Sequence, residues 1–246
     1  MSKTDTPNPK LPGTIFSACE DIEKAGGKGL PLKCDIRNEE NVKDCIQKVV
    51  DKFGGIDILI NNASAINIVD TENISMKSYD LMNQINARGT FMLTKYCLPH
   101  LKNSSNPHVL NLSPPLNMSA RWFSQNLAYS MAKYGMSLCV LGHSDEFAPL
   151  GIAVNGLWPR TMVATAAVQV HLGGDAVIKK SRLESIVSDA AHEILTTKST
   201  SCTGNFFVDE EVLKQTGTKC FAKYRVDPNI TDEDLAMDGF LEEVKN

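Results

Sequence analysis

Ala128-Tyr129-Ser130-Met131-Ala132-Lys133-Tyr134-Gly135 sets a phenol and an ammonium four positions apart. The apolar Leu138-Cys139-Val140-Leu141 that follows extends the segment as a helix. At that spacing both side chains share one face, one turn apart. A phenol with an ordinary pKa near ~10 is a poor proton donor or acceptor at neutral pH. An ammonium beside it favours the phenolate and lowers that pKa, which makes Tyr129 a usable general acid or base. A solvated helix face would show the same spacing, because short motifs match by chance. The surroundings decide between the two.

Immediately upstream, Val109-Leu110-Asn111-Leu112-Ser113 reads as a buried strand that runs into Pro114-Pro115. Before it, a long helix is predicted from about residue 75 to 99. It contains Asn86 and Gly89, poor helix formers that each cost something unless they have a task. Residues 56–60 form an apolar strand ending in Asn61-Asn62-Ala63-Ser64. Residues 39–53 form a helix capped by Asn38, with Val42, Cys45, Ile46, Val49, Val50 and Phe53 inward, stopped by Gly54-Gly55. Residues 30–34 read as a strand ending before Asp35. Gly26-Gly27-Lys28-Gly29 follows a helix and precedes a strand, the reverse of a phosphate cradle, so it is a helix stop.

Downstream, residues 152–158 form a strand, and 161 to about 180 are irregular or weakly helical. Leu183, Ile186, Val187, Ala190, Ala191, Ile194 and Leu195 describe an amphipathic helix, and residues 204–209 the last strand. From Glu210 the chain turns acidic and loses periodicity, which reads as a peripheral tail. Strands alternating with helices imply a parallel, doubly wound α/β sheet whose ligands bind at the carboxyl ends of the strands. Asp35, Asn61 to Ser64, Ser113 and Pro159 to Thr161 all follow strand ends and converge there. A chance Tyr-x-x-x-Lys would not arrive with four polar clusters at one edge.

The 246 residues are 42% hydrophobic and 22% charged, enough for one large α/β domain. A net charge of −4 argues for neither nucleic acid nor an anionic membrane surface. Seven Cys, odd in number and without Cys-x-x-Cys, read as reduced thiols, and the five scattered His indicate no metal site. The polar, proline-rich start is unlike a signal peptide, no apolar run approaches the ~20 residues of a membrane helix, and Val244-Lys245-Asn246 is not a peroxisomal tripeptide.

Asn61-Asn62-Ala63-Ser64, Asn86-Ala87-Arg88-Gly89-Thr90, Asn111-Leu112-Ser113 and Tyr129-x-x-x-Lys133 together resemble the short-chain dehydrogenase/reductase family. The resemblance covers about residues 1 to 210 and implies a Rossmann-like fold and NADP-dependent oxidoreduction of a small-molecule carbonyl or secondary alcohol. Phe53-Gly54-Gly55-Ile56-Asp57-Ile58-Leu59 and the Pro114-Pro115-Leu116-Asn117 loop resemble a narrower group within it. Full-length members of that group carry a sterol-carrier domain, and the likeness implies a lipid-related substrate and a peroxisomal or mitochondrial location. By the resemblance Tyr129 moves the proton, Lys133 lowers its pKa and holds the nicotinamide ribose, and Asn86 holds a water leading to Lys133. Asp35 meets the adenine, Asn61 and Ala63 shape the cofactor floor, Thr161 or Thr165 meets the carboxamide, and Lys3 meets a ribose 2′-phosphate.

The chain also departs from the family pattern. Pro114 stands where the substrate-orienting Ser is usual, which leaves Ser113 as the nearest hydroxyl. Ser64 replaces a usual Gly, and Pro159-Arg160 a usual Pro-Gly. The family's opening strand, Gly-rich turn and helix have no counterpart here. Residues 1–210 then read as an incomplete dinucleotide-binding and catalytic domain, and 211–246 as an acidic C-terminal tail. On that reading NADP binds weakly, and the faces of Ile58, Leu59 and Ile60 are left poorly covered, so that the chain self-associates as a homo-oligomer or aggregate. The competing reading is a shortened, catalytically silent chain acting by association.

Overall fold

The computed structural model describes residues 5–6 and 13–242; Lys3 lies outside them. Four strands, β1 (Ile58–Asn61), β2 (His108–Asn111), β3 (Ala153–Trp158) and β4 (Phe206–Val208), pair in parallel in the order β1-β2-β3-β4. Every residue of β2 and β3 is buried, as a parallel sheet covered on both faces requires. Alternation along the strands sorts the core into two layers. Leu59, Val109 and Val154 face α2 (Glu39–Phe53) and α4 (Gly89–Leu101), meeting Val42, Ile46, Leu93 and Cys97. Leu110 and Leu157 face the opposite way, onto Ile186, Ala190 and Ile194 of α8 (Ser185–Thr196). The doubly wound parallel architecture expected from the sequence is the architecture found.

Local chemistry accounts for most element ends. Thr14 caps α1 (Ile15–Lys24), taking the N–H groups of Phe16 and Ser17 at 3.2 Å each. Asn38 caps α2 through the Asn41 N–H at 2.9 Å, and Gly54 closes it in the left-handed region at φ +88°. The predicted helix over 75–99 is three joined pieces: α3 (Met76–Met82), a π-helical turn at Asn83–Arg88, and α4. π turns inside helices recur at functional positions. This one is packed tightly against α5 (Leu127–Phe147), because a Cβ on Gly135 would stand 2.5 Å from the Ala87 Cβ. Gly89 has a similar reason, since a Cβ there would lie 2.8 Å from Ile36 Cδ1.

The structure departs from the expectations at several places. Residues 30–34 form no strand of the sheet, which has β1 at its edge among the described residues. Instead Cys34 is buried against α2, and the Cys45 thiol lies 3.4 Å from the Lys33 carbonyl. Apolar burial on a helix holds the segment, with an isolated bridge at Lys33 in place of a ladder. Phe53, expected inward, is exposed in the last turn of α2. In β1 only Ile58 and Ile60 are uncovered, at 42% and 48%, because Leu59 turns to the other face and packs under α4. The segment after Glu210 is not peripheral. It continues α9 (Asp209–Gln215), buries Phe221, Tyr224, Leu235 and Phe240, and is stitched back by isolated bridges Arg182–Arg225 and Thr161–Met237. Loss of periodicity there reflects irregular backbone, whose apolar side chains are anchored singly. Buried Arg182 ties it further by ion pairs to Glu210 at 2.5 Å and Asp232 at 3.6 Å.

Candidate active site

Tyr129 and Lys133 both line one large cavity of about 1130 Å³ beyond the carboxyl ends of β1, β2 and β3. Its floor takes Ile60, Asn62 and Ser64 from the end of β1 and Leu112 from beyond β2. Trp158 and Pro159 contribute from β3 and its end, while Leu172, Val187, Ala191 and Leu195 add apolar surface beside the polar Glu184, Ser188 and His192. The amphipathic helix α8 therefore serves two purposes, one stripe in the core and the next against the cavity.

Lys133 is almost wholly buried. Its Nζ donates to the Leu112 carbonyl at 2.9 Å and stands 5.1 Å from the centroid of the Trp158 ring. Burial pushes it down from 10.5 to about 8, while the Asp238 carboxylate pulls it back up. Tyr129 goes the other way from the expectation. Burial, then the negative charge of Asp238, raises its hydroxyl above the ordinary phenol value. The expected lowering by Lys133 is absent because the desolvation of a phenolate in this apolar pocket outweighs it and the ammonium is aimed at Leu112.

Asn86 is fully buried in the π turn. Its Oδ1 accepts the Ala65 N–H at 2.7 Å and its Nδ2 donates to the Ala65 carbonyl at 3.0 Å. The side chain is thus committed to holding the loop after β1. Ser113 is buried away from the cavity wall, with its Oγ 3.3 Å from where a Cβ on Gly156 would lie and no hydrogen-bond partner among the described residues. Asn61 also turns inward, donating to Asn111 Oδ1 at 2.8 Å and Thr94 Oγ1 at 3.3 Å. Its neighbours Asn62 and Ser64 reach the cavity, whereas Ala63 is exposed between them. Asp35 is bracketed by Arg37, whose Nε and guanidinium nitrogen donate to it at 2.9 and 2.6 Å. Thr161 is buried at the end of β3 with its Oγ1 unpartnered.

Two residues that no sequence signal distinguished also enter the cavity: Asp238 and Phe240. Burial pushes the Asp238 carboxyl up to about 7, while the Gly239 N–H and Lys133 restrain it and Asp209 pushes it further up. Asp209, buried at the start of α9, is itself pushed up to about 6 by burial, with the Arg160 and Glu210 N–H groups opposing. Among the described residues no group of His, Cys, Asp or Glu could hold a metal ion, and no helix is long and apolar enough to cross a membrane.

Residues 13–172 match the short-chain dehydrogenase family. The chain belongs to that family of oxidoreductases. Hydroxysteroid dehydrogenase-like protein 2 of Danio rerio is 52% identical over 241 residues, covering 98% of this chain and 57% of that relative. The Homo sapiens protein of the same name is 47% identical over 98% of this chain and 56% of its own length. The chain thus spans little more than half the length of these relatives. A short-chain dehydrogenase structure from Mycobacterium thermoresistibile is 45% identical, with a TM-score of 0.90, covering 98% of this chain and 84% of that one. The angucycline C-6 ketoreductase LanV, solved with bound NADP, shares the fold at 20% identity and a TM-score of 0.67, over 79% of each chain.

Short-chain dehydrogenases work with a nicotinamide dinucleotide. The residues here fit its nicotinamide end: Lys133 and Thr165 border the cavity, whereas Thr161, three residues beyond β3, is buried with its hydroxyl unpartnered and does not line it. No helix that follows a strand among the described residues opens on a glycine-rich turn that would cradle the pyrophosphate.

Proposed function

We propose that this chain carries the acid–base machinery of an NADP-dependent oxidoreductase that interconverts a carbonyl and a secondary alcohol on an apolar, lipid-like substrate. What supports this is the placement of Tyr129 and Lys133, one turn apart on α5, in a single large and mostly apolar cavity at the carboxyl edge of a parallel sheet. NADP, when bound, supplies or accepts the hydride. Lys133 would hold its nicotinamide ribose, Thr161 or Thr165 its carboxamide, and Asp35, oriented by Arg37, its adenine.

Tyr129 holds the proton. The phenol is protonated at neutral pH and can donate to an oxygen that gains negative charge as a carbonyl is reduced; its raised pKa opposes that transfer, and a positive charge on Lys133 favours it. Lys133, poised at about 8, places a positive charge near that oxygen when protonated. Asn86 acts at one remove, fixing Ala65 and with it the wall that carries Ser64. Ser113 is assigned no contact with substrate. The mostly apolar lining accommodates a hydrocarbon chain, and with such a substrate goes a peroxisomal or mitochondrial setting.

The experiment is Tyr129→Phe, assayed by NADPH consumption with a medium-chain ketone and by calorimetric NADPH binding. Acid–base contributions are typically ~10²–10⁴-fold, so turnover should fall by about that much with the fold intact. Near-parental turnover in the variant would remove Tyr129 from the mechanism. A parent chain that neither binds NADPH nor turns over would favour the second reading, a silent chain acting by association.

A further inference from the structure

Phe240 carries the one left-handed backbone among the described non-glycine residues, at φ 67°. For a bulky aromatic that conformation is strained and persists only where the surroundings over-determine it. Here they do. The ring is buried within a box of four others, with centroids 5.6 Å from Tyr134, 5.8 Å from Trp158, 6.1 Å from Trp122 and 6.4 Å from Tyr129. Those rings come from the loop before α5, from α5 itself and from β3, so the box closes one end of the cavity at the proposed proton donor.

The backbone around Phe240 is latched on both sides. The Ala236 carbonyl accepts the Met162 N–H at 2.7 Å, and the Asp238 N–H donates to the Arg160 carbonyl at 3.2 Å. The Trp158 Nε1 donates to the Gly239 carbonyl at 2.9 Å. Beyond the ring, Glu242 accepts from Asn117 Nδ2 at 2.8 Å and pairs with Arg121. Residues 236–242 are therefore a strap joining the loop after β3 to the loop after β2. The same cavity is also lined by Leu172 and, along α8, by Val187, Ala191 and Leu195.

We infer that Phe240 is a specificity-determining residue: it limits the site to carbonyls with a small group on the side facing it, and directs the longer apolar substituent toward α8. The inference rests on the proposed function, since it needs the reacting carbon to lie by Tyr129. A hydrophobic wall that one substituent must displace discriminates by roughly 10–200-fold per group.

Two isomers, 2-nonanone and 5-nonanone, test this with the full chain. They share one formula and differ only in the smaller substituent, methyl or butyl. Both tryptophans of the chain, Trp122 and Trp158, flank Phe240, so their fluorescence reports binding without turnover. The parent should bind 2-nonanone at least about tenfold more tightly, and Phe240→Ala should bring the isomers within about threefold. Phe240→Leu, which keeps an apolar plug, should move the ratio part of the way and serves where the alanine variant fails to fold. Equal binding of the isomers by the parent, or a ratio unchanged in the folded variants, would overturn the inference. Tyr129→Phe separates the two proposals: it should keep the isomer preference while turnover falls. If it keeps turnover and Phe240→Ala still shifts the ratio, the acid–base assignment falls and the size limit stands.

Discussion

Asp238 shows how one carboxyl changes the pH behaviour of a site. It is held at about 7 and Asp209 at about 6, both above the ordinary 3.8. For groups raised in the folded state, the stabilising contribution is fully present below about 3.8 and is lost as pH rises through about 6 to 7. Lys133 has the opposite sign. Depressed from 10.5 to about 8, its contribution is present above 10.5 and is lost as pH falls through about 8. Asp238→Asn keeps an acceptor for the Gly239 N–H, which now reaches Oδ1 at 2.7 Å, but removes the buried charge. Its Tm at pH 8 should exceed the parent's by about 2–4 °C, the shift expected for roughly 1 kcal/mol in a chain of this size. The gap should close toward pH 5, and a calorimetric Tm series across that range checks it. A difference independent of pH would mean that Asp238 does not titrate there.

At the scale of elements, the contact between the π turn and α5 decides where Asn86, Tyr129 and Lys133 sit relative to one another. Gly135 is the residue that permits it. Gly135→Ala inserts a methyl group against Ala87 in a closed contact, and overpacking of this kind costs typically 1–3 kcal/mol. Thermal unfolding should therefore drop by several degrees, and turnover should fall with it because the face bearing Lys133 is pushed from the π turn. Ala87→Gly on top of it should restore part of both losses, since it removes the atom the new methyl meets. The two residues costly in a plain helix have partners of their own: Asn86 holds Ala65, and Gly89 makes room for Ile36. The sequence exposed the anomaly in that helix, but the residue the turn packs against, Gly135, lies some fifty residues on and is invisible to any local pattern.

For the whole molecule, the edge at β1 is the feature most open to association. Ile58 and Ile60 are largely uncovered, and β1 pairs only with β2 among the described residues. A flat apolar edge is a template for further pairing. Ile58→Lys places a charge on that edge without touching the cavity wall, which takes Ile60 instead. It should reduce dye binding and the concentration dependence of apparent mass in light scattering, with little change in Tm. An unchanged mass profile would show that the edge is not the route of self-association.

What the sequence by itself determined is what period and composition can carry. Four apolar runs became the four strands, and the two central ones are buried on both faces, which demands continuous hydrophobicity. The spacing of Tyr129 and Lys133 put them on one face of one helix, and Asn38, Gly26 and Gly54 marked helix ends through local hydrogen bonds and backbone freedom. Only the tertiary structure decided which polar groups at the strand ends face the cavity. Asn61 and Ser113 turn inward while Asn62 and Ser64 turn out, a one-residue difference set by the twist and depth of packing. It also decided that the acidic, aperiodic end returns over the site. Asp238 and Phe240 reach Lys133 and Tyr129 from about a hundred residues away, through contacts that follow no repeat. Folding brings them together because burying Phe240 among four aromatic rings and pairing the strap's backbone groups outweighs an unfavourable φ.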